Sequence, residues 1–270
     1  MAQKVCEFFT KGDTGVVVFN FSGTPGSDDG VAFADKTVSQ ELQDVGCVLN
    51  YIKQEHAGCS TFHIVGLSTG AIIGALARGV DFQGVLRAEG VHVDTISLLA
   101  ACGAPAAEAL RYDFDPEQLT GLVEHGYCQK EFWLPLDSPS NPPGAEMMIR
   151  ESGGEEHTAG AWSKHHLRLN RTYMDDFLTL SAVKSVGLGV VPQMESGPVP
   201  LLVIHGGKDT NIPIEEGRRL FAAAFEPKEW LELPKANHLF SSSKDLKKAF
   251  QTTLAFQAKH SSHGAPASSV

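Results

Sequence analysis

Short apolar runs alternate along this chain with segments in which apolar residues recur every three or four positions. The apolar runs are rich in β-branched residues, which is typical of buried strands, and they cover residues 16–21, 61–65, 93–101, 199–204 and 229–233. The intervening periodicity predicts helices over residues 37–54, from Ser68 to about 78, 214–224 and 244–258. The alternation favours an α/β fold, a mostly parallel sheet with helices on both faces.

The middle of the chain, residues 106–190, departs from this alternation. Two amphipathic stretches, near 115–125 and 171–184, flank an irregular segment over 135–160 that is rich in Pro, Gly, Ser and Glu. Long irregular connections in compact domains often cover active sites, so we expect a lid inserted into one domain that spans residues 1–258. A disordered surface insertion is the alternative. The polar tail, 259–270, is expected to be disordered.

Composition narrows the classes of partner. The chain has 270 residues, 42% of them hydrophobic, which is enough for one large domain with its own core. A formal net charge of −10 disfavours nucleic acid as a partner because like charges repel the phosphate backbone. No apolar run approaches the roughly 20 residues of a membrane span, and the amino end lacks the pattern of a secretory signal.

The cysteines and histidines give no sign of a metal or a disulfide framework. The number of cysteines is odd and their spacing is irregular, which favours reduced and mostly buried thiols in a reducing compartment, the cytoplasm: Cys6, Cys47, Cys59, Cys102 and Cys128. The histidines of the middle segment (157, 165 and 166) lack metal-ligand spacing. We therefore expect no metal and no cofactor.

One short segment carries a signal for nucleophilic catalysis. Gly66-Leu67-Ser68-Thr69-Gly70 fits the pattern G-x-S-x-G and lies between a predicted buried strand and a predicted helix. In that context the serine sits on a tight, strained turn, the nucleophile elbow, which lifts its hydroxyl above the carboxyl end of the sheet. The backbone N–H of Thr69 is then a candidate donor to an oxyanion. A structural Gly-Ser-Gly turn without chemistry is the alternative.

A serine nucleophile needs a base, and the base needs an acid that fixes its orientation. In this topology the acid and the base follow the serine in that order along the chain. Asp209 follows the strand over 199–204, and His238 follows the strand over 229–233, so both are expected at the same sheet edge as Ser68. The alternatives are a turn aspartate and a surface-loop histidine. His205 is expected only to pack at the end of its strand.

Together these residues resemble the α/β-hydrolase superfamily, in particular its cinnamoyl- and feruloyl-esterase-like group, which grades into serine-aminopeptidase-like and monoacylglycerol-lipase-like enzymes. Four segments carry the resemblance: the glycine-rich loop after residues 19–23, the helix over 41–52, the turn at Ser68, and residues 205–240. The resemblance implies a catalytic triad of Ser68, Asp209 and His238, with one oxyanion donor at Thr69.

The sequence departs from the family pattern at its amino end. Asn20 stands where the family usually has Asp. If residues 16–21 match the family's fourth strand, the first three strands are absent, and with them the His-Gly loop that supplies the second oxyanion amide. We therefore expect a sheet with a shortened edge, a half-built oxyanion hole, and a possible homodimer through the exposed edge. In the alternative, residues 16–21 form the oxyanion strand and the amide of Phe21 or Ser22 donates.

The resemblance implies a serine esterase, that is, a carboxylesterase that cleaves a small-molecule ester with a small or medium acyl or aryl group through an acyl-enzyme on Ser68. The same triad also serves thioester hydrolysis and amide or peptide cleavage. A non-catalytic, ligand-binding protein with this fold is the alternative from another class. A dinucleotide-binding protein fits poorly because Gly23, Gly26 and Gly30 do not have the G-x-G-x-x-G spacing.

Overall fold

The computed structural model describes residues 8–10, 15–27, 31–56, 58–59, 61–135, 147–148, 162–187 and 197–261. The chain forms two compact units. The first unit comprises Met1–Val18, Leu42–Tyr112 and Leu178–Val270, and the second comprises Phe19–Glu41 and Asp113–Phe177.

Outside the middle segment the described helices and strands follow the predicted order, except that the predicted strand over 16–21 is missing and one further helix, α3, is present. In chain order they are α1 (Val38–Glu55), β1 (Thr61–Leu67), α2 (Thr69–Ala77), α3 (Val80–Ala88), β2 (His92–Leu99), α4 (Ala106–Asp113), α5 (Pro116–Glu124), β3 (Tyr127–Pro135), β4 (Met147–Met148), β5 (Trp162–Asn170), α6 (Arg171–Thr179), α7 (Ala182–Gly187), β6 (Leu201–Gly206), α8 (Ile214–Ala223), β7 (Lys228–Leu233) and α9 (Ser243–His260). A short 3₁₀ helix, Phe33–Asp35, precedes α1.

The first unit is built on a parallel sheet of four described strands in the order β1-β2-β6-β7. The register pairs Leu67 with Leu99 at the carboxyl ends of β1 and β2, and Leu99 in turn stands opposite Ile204 of β6. Each of these strands is the apolar run that the sequence predicts, shifted by a few residues at most. Because all four strands are parallel, the loops that follow β1, β6 and β7 emerge at the same sheet edge.

Alternate residues of β2 show that helices cover both faces of this sheet. Leu98 lies under α2, where a Cβ added at Gly74 would stand 2.7 Å from its Cδ2 atom. Leu99 points the other way and belongs to a buried cluster that includes Phe250 of α9. Glycine at position 74 thus allows α2 to approach the strands closely. Because helices cover both faces of a parallel sheet, the expected α/β architecture is confirmed.

The apolar run over residues 16–21 does not form the predicted strand. It pairs with no strand among the described residues, and Val17 and Val18 are 54% and 53% exposed. An apolar run becomes a strand only where a neighbour supplies the hydrogen-bonding ladder, so the strand prediction was wrong here. β1 accordingly lies at one edge of the described sheet, and its Val65 is 40% exposed. Dimerisation through this edge stays a prediction.

The second unit contains an antiparallel sheet in the order β3-β5-β4, which the sequence pattern does not predict. The register pairs Tyr127 with Asn170 at one end of the hairpin. α5 begins at a capping box in which Asp115 and Gln118 bond each other's backbone N–H groups. The predicted irregular segment, 135–160, falls mostly outside the described residues.

The carboxyl-terminal helix is slightly longer than predicted, and none of the described helices is suited to cross a membrane. α9 ends at His260, two residues beyond the predicted end, and the rest of the predicted tail, 262–270, lies outside the described residues. In the part of the chain that the structure describes, no helix combines the length and the apolar character that crossing a membrane requires.

A buried arginine holds helix α7 and two loops of the first unit together. Arg78 caps the end of α2 and is 2% exposed. Its guanidinium donates to the carbonyl oxygens of Val199 at 2.7 Å, Val186 at 2.5 Å and Phe225 at 2.8 Å. Burial lowers the pKa of Arg78 from its usual value to about 10, so the side chain remains charged at neutral pH. The segments before β6 and β7 are thereby tied to the helix that follows Ser68.

Replacing Arg78 by methionine is expected to lower the free energy of unfolding by about 3 kcal/mol or more, because three buried carbonyl groups lose their donors. Urea unfolding followed by circular dichroism measures the change. The matched control is Arg111→Met, since Arg111 is exposed on α4 and its loss is expected to cost less than about 0.5 kcal/mol. Equal effects of the two substitutions would contradict this account of Arg78.

Candidate active site

Ser68 stands on a sharp turn between β1 and α2. Its backbone has φ 58° and ψ −119°, a conformation that costs a residue with a side chain on the order of 1–3 kcal/mol. The surrounding hydrogen bonds hold it there: Ser68 N–H donates to the Leu99 carbonyl oxygen at 3.0 Å, and the Ser68 carbonyl oxygen accepts from Ala71 N–H at 2.9 Å. The first bond extends the β1–β2 ladder, and the second begins the helix.

The two glycines of the turn differ in what they do. A Cβ at Gly66 would collide with the backbone of Gly70 and would lie 2.9 Å from the amide nitrogen of Ala71. A Cβ at Gly70 would meet nothing within 4 Å. The turn therefore excludes a side chain at Gly66, where the carbonyl group of Gly70 fills the space, but it has room for one at Gly70.

Asp209 lies in the loop after β6, and its side chain is fully buried. Its Oδ1 atom accepts from the backbone N–H groups of Asn211 and Ile212, both at 2.9 Å. The turn that forms this cradle begins with the Asp209 N–H donating to the Gly206 carbonyl oxygen at 3.2 Å. Two backbone donors leave the second carboxylate oxygen, Oδ2, available to a side chain.

His238 lies in the loop after β7. The loop is anchored by Phe240, which is fully buried in the core cluster and adopts a positive φ of 50°. Phe240 N–H donates to the Asn237 carbonyl oxygen at 3.1 Å, closing a turn around His238. The imidazole is largely enclosed, with 11% of the side chain exposed. A large apolar residue at position 240 thus fixes the loop that carries the histidine.

The structure brings Ser68, His238 and Asp209 into one line of hydrogen bonds. The Nε2 atom of His238 is 2.9 Å from Ser68 Oγ, and its Nδ1 atom is 2.8 Å from Asp209 Oδ2. An ionised carboxylate can only accept, so Nδ1 carries the proton and Nε2 is free to accept one from the serine hydroxyl. This arrangement can deprotonate a serine as its oxygen attacks an electrophile.

The predicted oxyanion donors lie in different units. Thr69 is the first residue of α2, and the N–H groups of a first helical turn have no acceptor within the helix. Phe21 and Ser22 belong to the second unit, where Ser22 is buried and the Phe21 carbonyl oxygen accepts from Thr24 N–H at 2.9 Å. Their roles as oxyanion donors stay predictions.

His205 is a neighbour of this site that the sequence patterns do not predict. It is the last residue but one of the buried strand β6 and is itself fully buried. Its Nε2 atom is 3.0 Å from the carbonyl oxygen of Ile212 and 3.5 Å from Asp209 Oδ2. The signal that could have identified His205 is its position four residues before Asp209. The loop after β6 turns back over the end of the strand to bury Asp209, and this turn brings the two side chains together.

Neither a metal cluster nor the thiol of Cys102 offers an alternative reactive centre among the described residues. Across the described ranges, no three His, Cys, Asp or Glu side chains are grouped so as to hold a metal ion. Cys102, near the end of β2, is buried, and burial raises the pKa of its thiol to about 11. A thiol with so high a pKa is a poor nucleophile at neutral pH.

The chain matches one protein family in sequence and several solved structures in fold. The model of the alpha/beta hydrolase family matches residues 5–246. No curated protein sequence matches the chain. A solved structure described as a hydrolase from Agrobacterium vitis S4 is 18% identical, with a TM-score of 0.57, and the match covers 88% of this chain and 74% of that one.

Two further solved structures are similar over much of the chain. Alpha/beta hydrolase domain-containing protein 10 from mouse is 16% identical, with a TM-score of 0.52 and coverage of 89% of this chain and 76% of that one. Est1E from Butyrivibrio proteoclasticus with bound ferulic acid is 15% identical, with a TM-score of 0.49 and coverage of 85% and 71%. At such identities, the likenesses to the Agrobacterium vitis and mouse structures show the fold alone.

The contrast between the two glycines predicts opposite effects of alanine. Gly66→Ala is expected to lower the free energy of unfolding by about 1–3 kcal/mol, because the new methyl group collides with backbone atoms that cannot move aside. Gly70→Ala is expected to be neutral or to stabilise by up to about 1 kcal/mol, because alanine favours the helix. Thermal unfolding of both variants measures the difference, and a Gly70→Ala variant less stable than Gly66→Ala would contradict the geometry.

Proposed function

Because the chain belongs to the alpha/beta hydrolase family, we propose that it hydrolyses carboxylic esters through an acyl-enzyme on Ser68. One observation carries the proposal: the hydrogen-bonded line from Ser68 Oγ through His238 to the buried carboxylate of Asp209. The strained backbone of Ser68 supports it, since such strain is typical of a residue whose position serves chemistry.

In the first half of the proposed reaction, Ser68 Oγ attacks the acyl carbon of the ester while His238 Nε2 takes its proton. The carbonyl π bond breaks and the oxygen becomes an oxyanion. When this tetrahedral intermediate collapses, the bond to the alcohol oxygen breaks, and the imidazolium of His238 returns its proton to the departing alkoxide. Asp209 keeps its negative charge throughout and stabilises the imidazolium.

In the second half, a water molecule attacks the acyl carbon on Ser68 Oγ, and His238 takes the water proton. The acyl–Oγ bond breaks, the proton passes to Ser68, and the carboxylic acid leaves. The oxyanion that forms in each half accepts a hydrogen bond from the backbone N–H of Thr69. A second backbone donor to this oxyanion would be worth on the order of 10²–10³ in rate.

We propose small or medium acyl or aryl esters as the substrate class. Esters suit the site because alkoxides leave more easily than amines, and the triad can assist their departure without further groups. Thioesters and amides or peptides are the alternative substrates on the same three residues. A panel with one acyl group presented as a p-nitrophenyl ester, a thioester and an anilide orders these alternatives directly.

Labelling by a fluorophosphonate probe tests the nucleophile. The folded wild-type protein is expected to gain one phosphonyl group, and Ser68→Ala is expected to gain none, because the probe needs an activated serine hydroxyl. His238→Gln is expected to slow labelling by at least about 10³-fold, since the base is lost. Intact-mass spectrometry measures the adduct in each case.

The matched control is Ser261→Ala. Ser261 donates to Asp94 at 3.4 Å near the amino end of β2, at the other end of the strands from Ser68. Its removal is expected to leave labelling unchanged. A folded wild-type protein that takes no label would contradict the proposed hydrolase and favour a ligand-binding protein with this fold, and label retained in Ser68→Ala would contradict the assignment of the nucleophile.

A further inference from the structure

We propose that His205 is a positioning residue for Asp209, which it fixes both directly and through the backbone of Ile212. The inference rests on the proposed function, in which Asp209 orients His238. His205 touches neither Ser68 nor a substrate in this account. Its part is to hold the acid loop in the one arrangement that places Oδ2 against the His238 ring.

Ile212 is the link between His205 and the acid. Its N–H donates to Asp209 Oδ1 at 2.9 Å, and its carbonyl oxygen lies 3.0 Å from His205 Nε2. A carbonyl oxygen can only accept, so His205 donates this bond. The two bonds act on the same residue from opposite sides, and they fix the loop between β6 and α8 at the point where it cradles the carboxylate.

The same imidazole also lies next to the carboxylate itself. Oδ2 of Asp209 is 2.8 Å from His238 Nδ1 and 3.5 Å from His205 Nε2, so two imidazole rings flank one oxygen atom. The polarised N–H of His205 attracts the carboxylate at that distance without a full hydrogen bond. Rotation of Asp209 away from His238 would therefore be opposed from the side of β6.

The packing around His205 admits one tautomer. Nδ1 is buried without a hydrogen-bond partner, and a Cβ at Gly217 of α8 would collide with it. Trp230 stacks on the ring, with centroids 6.4 Å apart and an interplanar angle of 16°. A proton on Nδ1 would have no acceptor, so the ring carries its proton on Nε2, the atom that faces Ile212.

A neutral ring suits this role. Burial lowers the pKa of His205, and the charge of His238 acts in the same direction, while the bond to Ile212 and the charges of Asp209 and Glu215 oppose the shift. His205 thus stays uncharged at neutral pH while His238 gains and loses its proton during turnover. The surroundings of the two histidines next to Asp209 therefore differ in effect: they keep His205 neutral and leave His238 able to exchange a proton.

His205→Leu tests the proposal, because leucine fills much of the space but donates no hydrogen bond. We expect kcat for a p-nitrophenyl ester to fall about tenfold to a hundredfold with little change in KM, since the acid is held less firmly. The acid-side limb of the rate–pH profile is expected to move to lower pH, because a loosened carboxylate stabilises the His238 imidazolium less. His205→Gln, which retains a donor at the Nε2 position, is expected to stay within about threefold of wild type.

Trp230→Phe is the control for packing alone. It removes much of the stacking surface on His205 but leaves its hydrogen bond, so we expect a lower melting temperature with kcat and the rate–pH profile close to wild type. If His205→Leu folds and shows the wild-type kcat and rate–pH profile, or if Trp230→Phe changes both as much as His205→Leu does, the positioning role is overturned and His205 only fills space.

Nuclear magnetic resonance of the wild-type protein tests the proposal should His205→Leu fail to fold. We expect the His205 ring to be neutral with its proton on Nε2 at pH 7–8. A ring that carries its proton on Nδ1, or that is charged at this pH, would overturn the proposal. Wild-type protein that takes no fluorophosphonate label would instead contradict the proposed hydrolase, which separates the two failures.

Discussion

A buried negative charge is the constraint on which this candidate site depends. The Asp209 carboxylate is removed from water, and such a charge is stable only where hydrogen bonds and opposite partial charges replace its hydration. Two backbone N–H groups and the His238 ring do so here. The need to satisfy one side chain therefore dictates the path of the loop after β6 and the direction of the imidazole, and through the imidazole it determines where a serine hydroxyl must lie.

The parts of this arrangement that follow from strand order were predictable from the sequence. Apolar runs mark the parallel strands, and residues that come directly after such strands meet at one edge of a sheet. Ser68, Asp209 and His238 each follow such a run, which is why the sequence places them together before any distance is known. The turn around Ser68 was also predictable, because Gly66 has no side chain and the turn leaves no space for a Cβ at that position.

The remaining features depend on contacts that no local pattern encodes. Residues 16–21 have the composition of a strand, yet whether they form one depends on a neighbouring ladder that the sequence does not reveal. β3 and β5 flank the irregular segment over 135–160 and pair across it, a contact between distant residues that no local period predicts. His205 resembles any histidine at a strand end, and its relation to Asp209 arises only when the loop folds back through Ile212.

The central claim is that an acyl group is carried by Ser68 during turnover. The most direct measurement is to quench a reaction with a p-nitrophenyl ester in acid during the first turnovers, digest the protein, and locate the added mass by tandem mass spectrometry. An acyl group is expected on the peptide that contains Gly66–Gly70, attached at Ser68. Ester turnover without any acylated peptide, or with the acyl group on another residue, would contradict it.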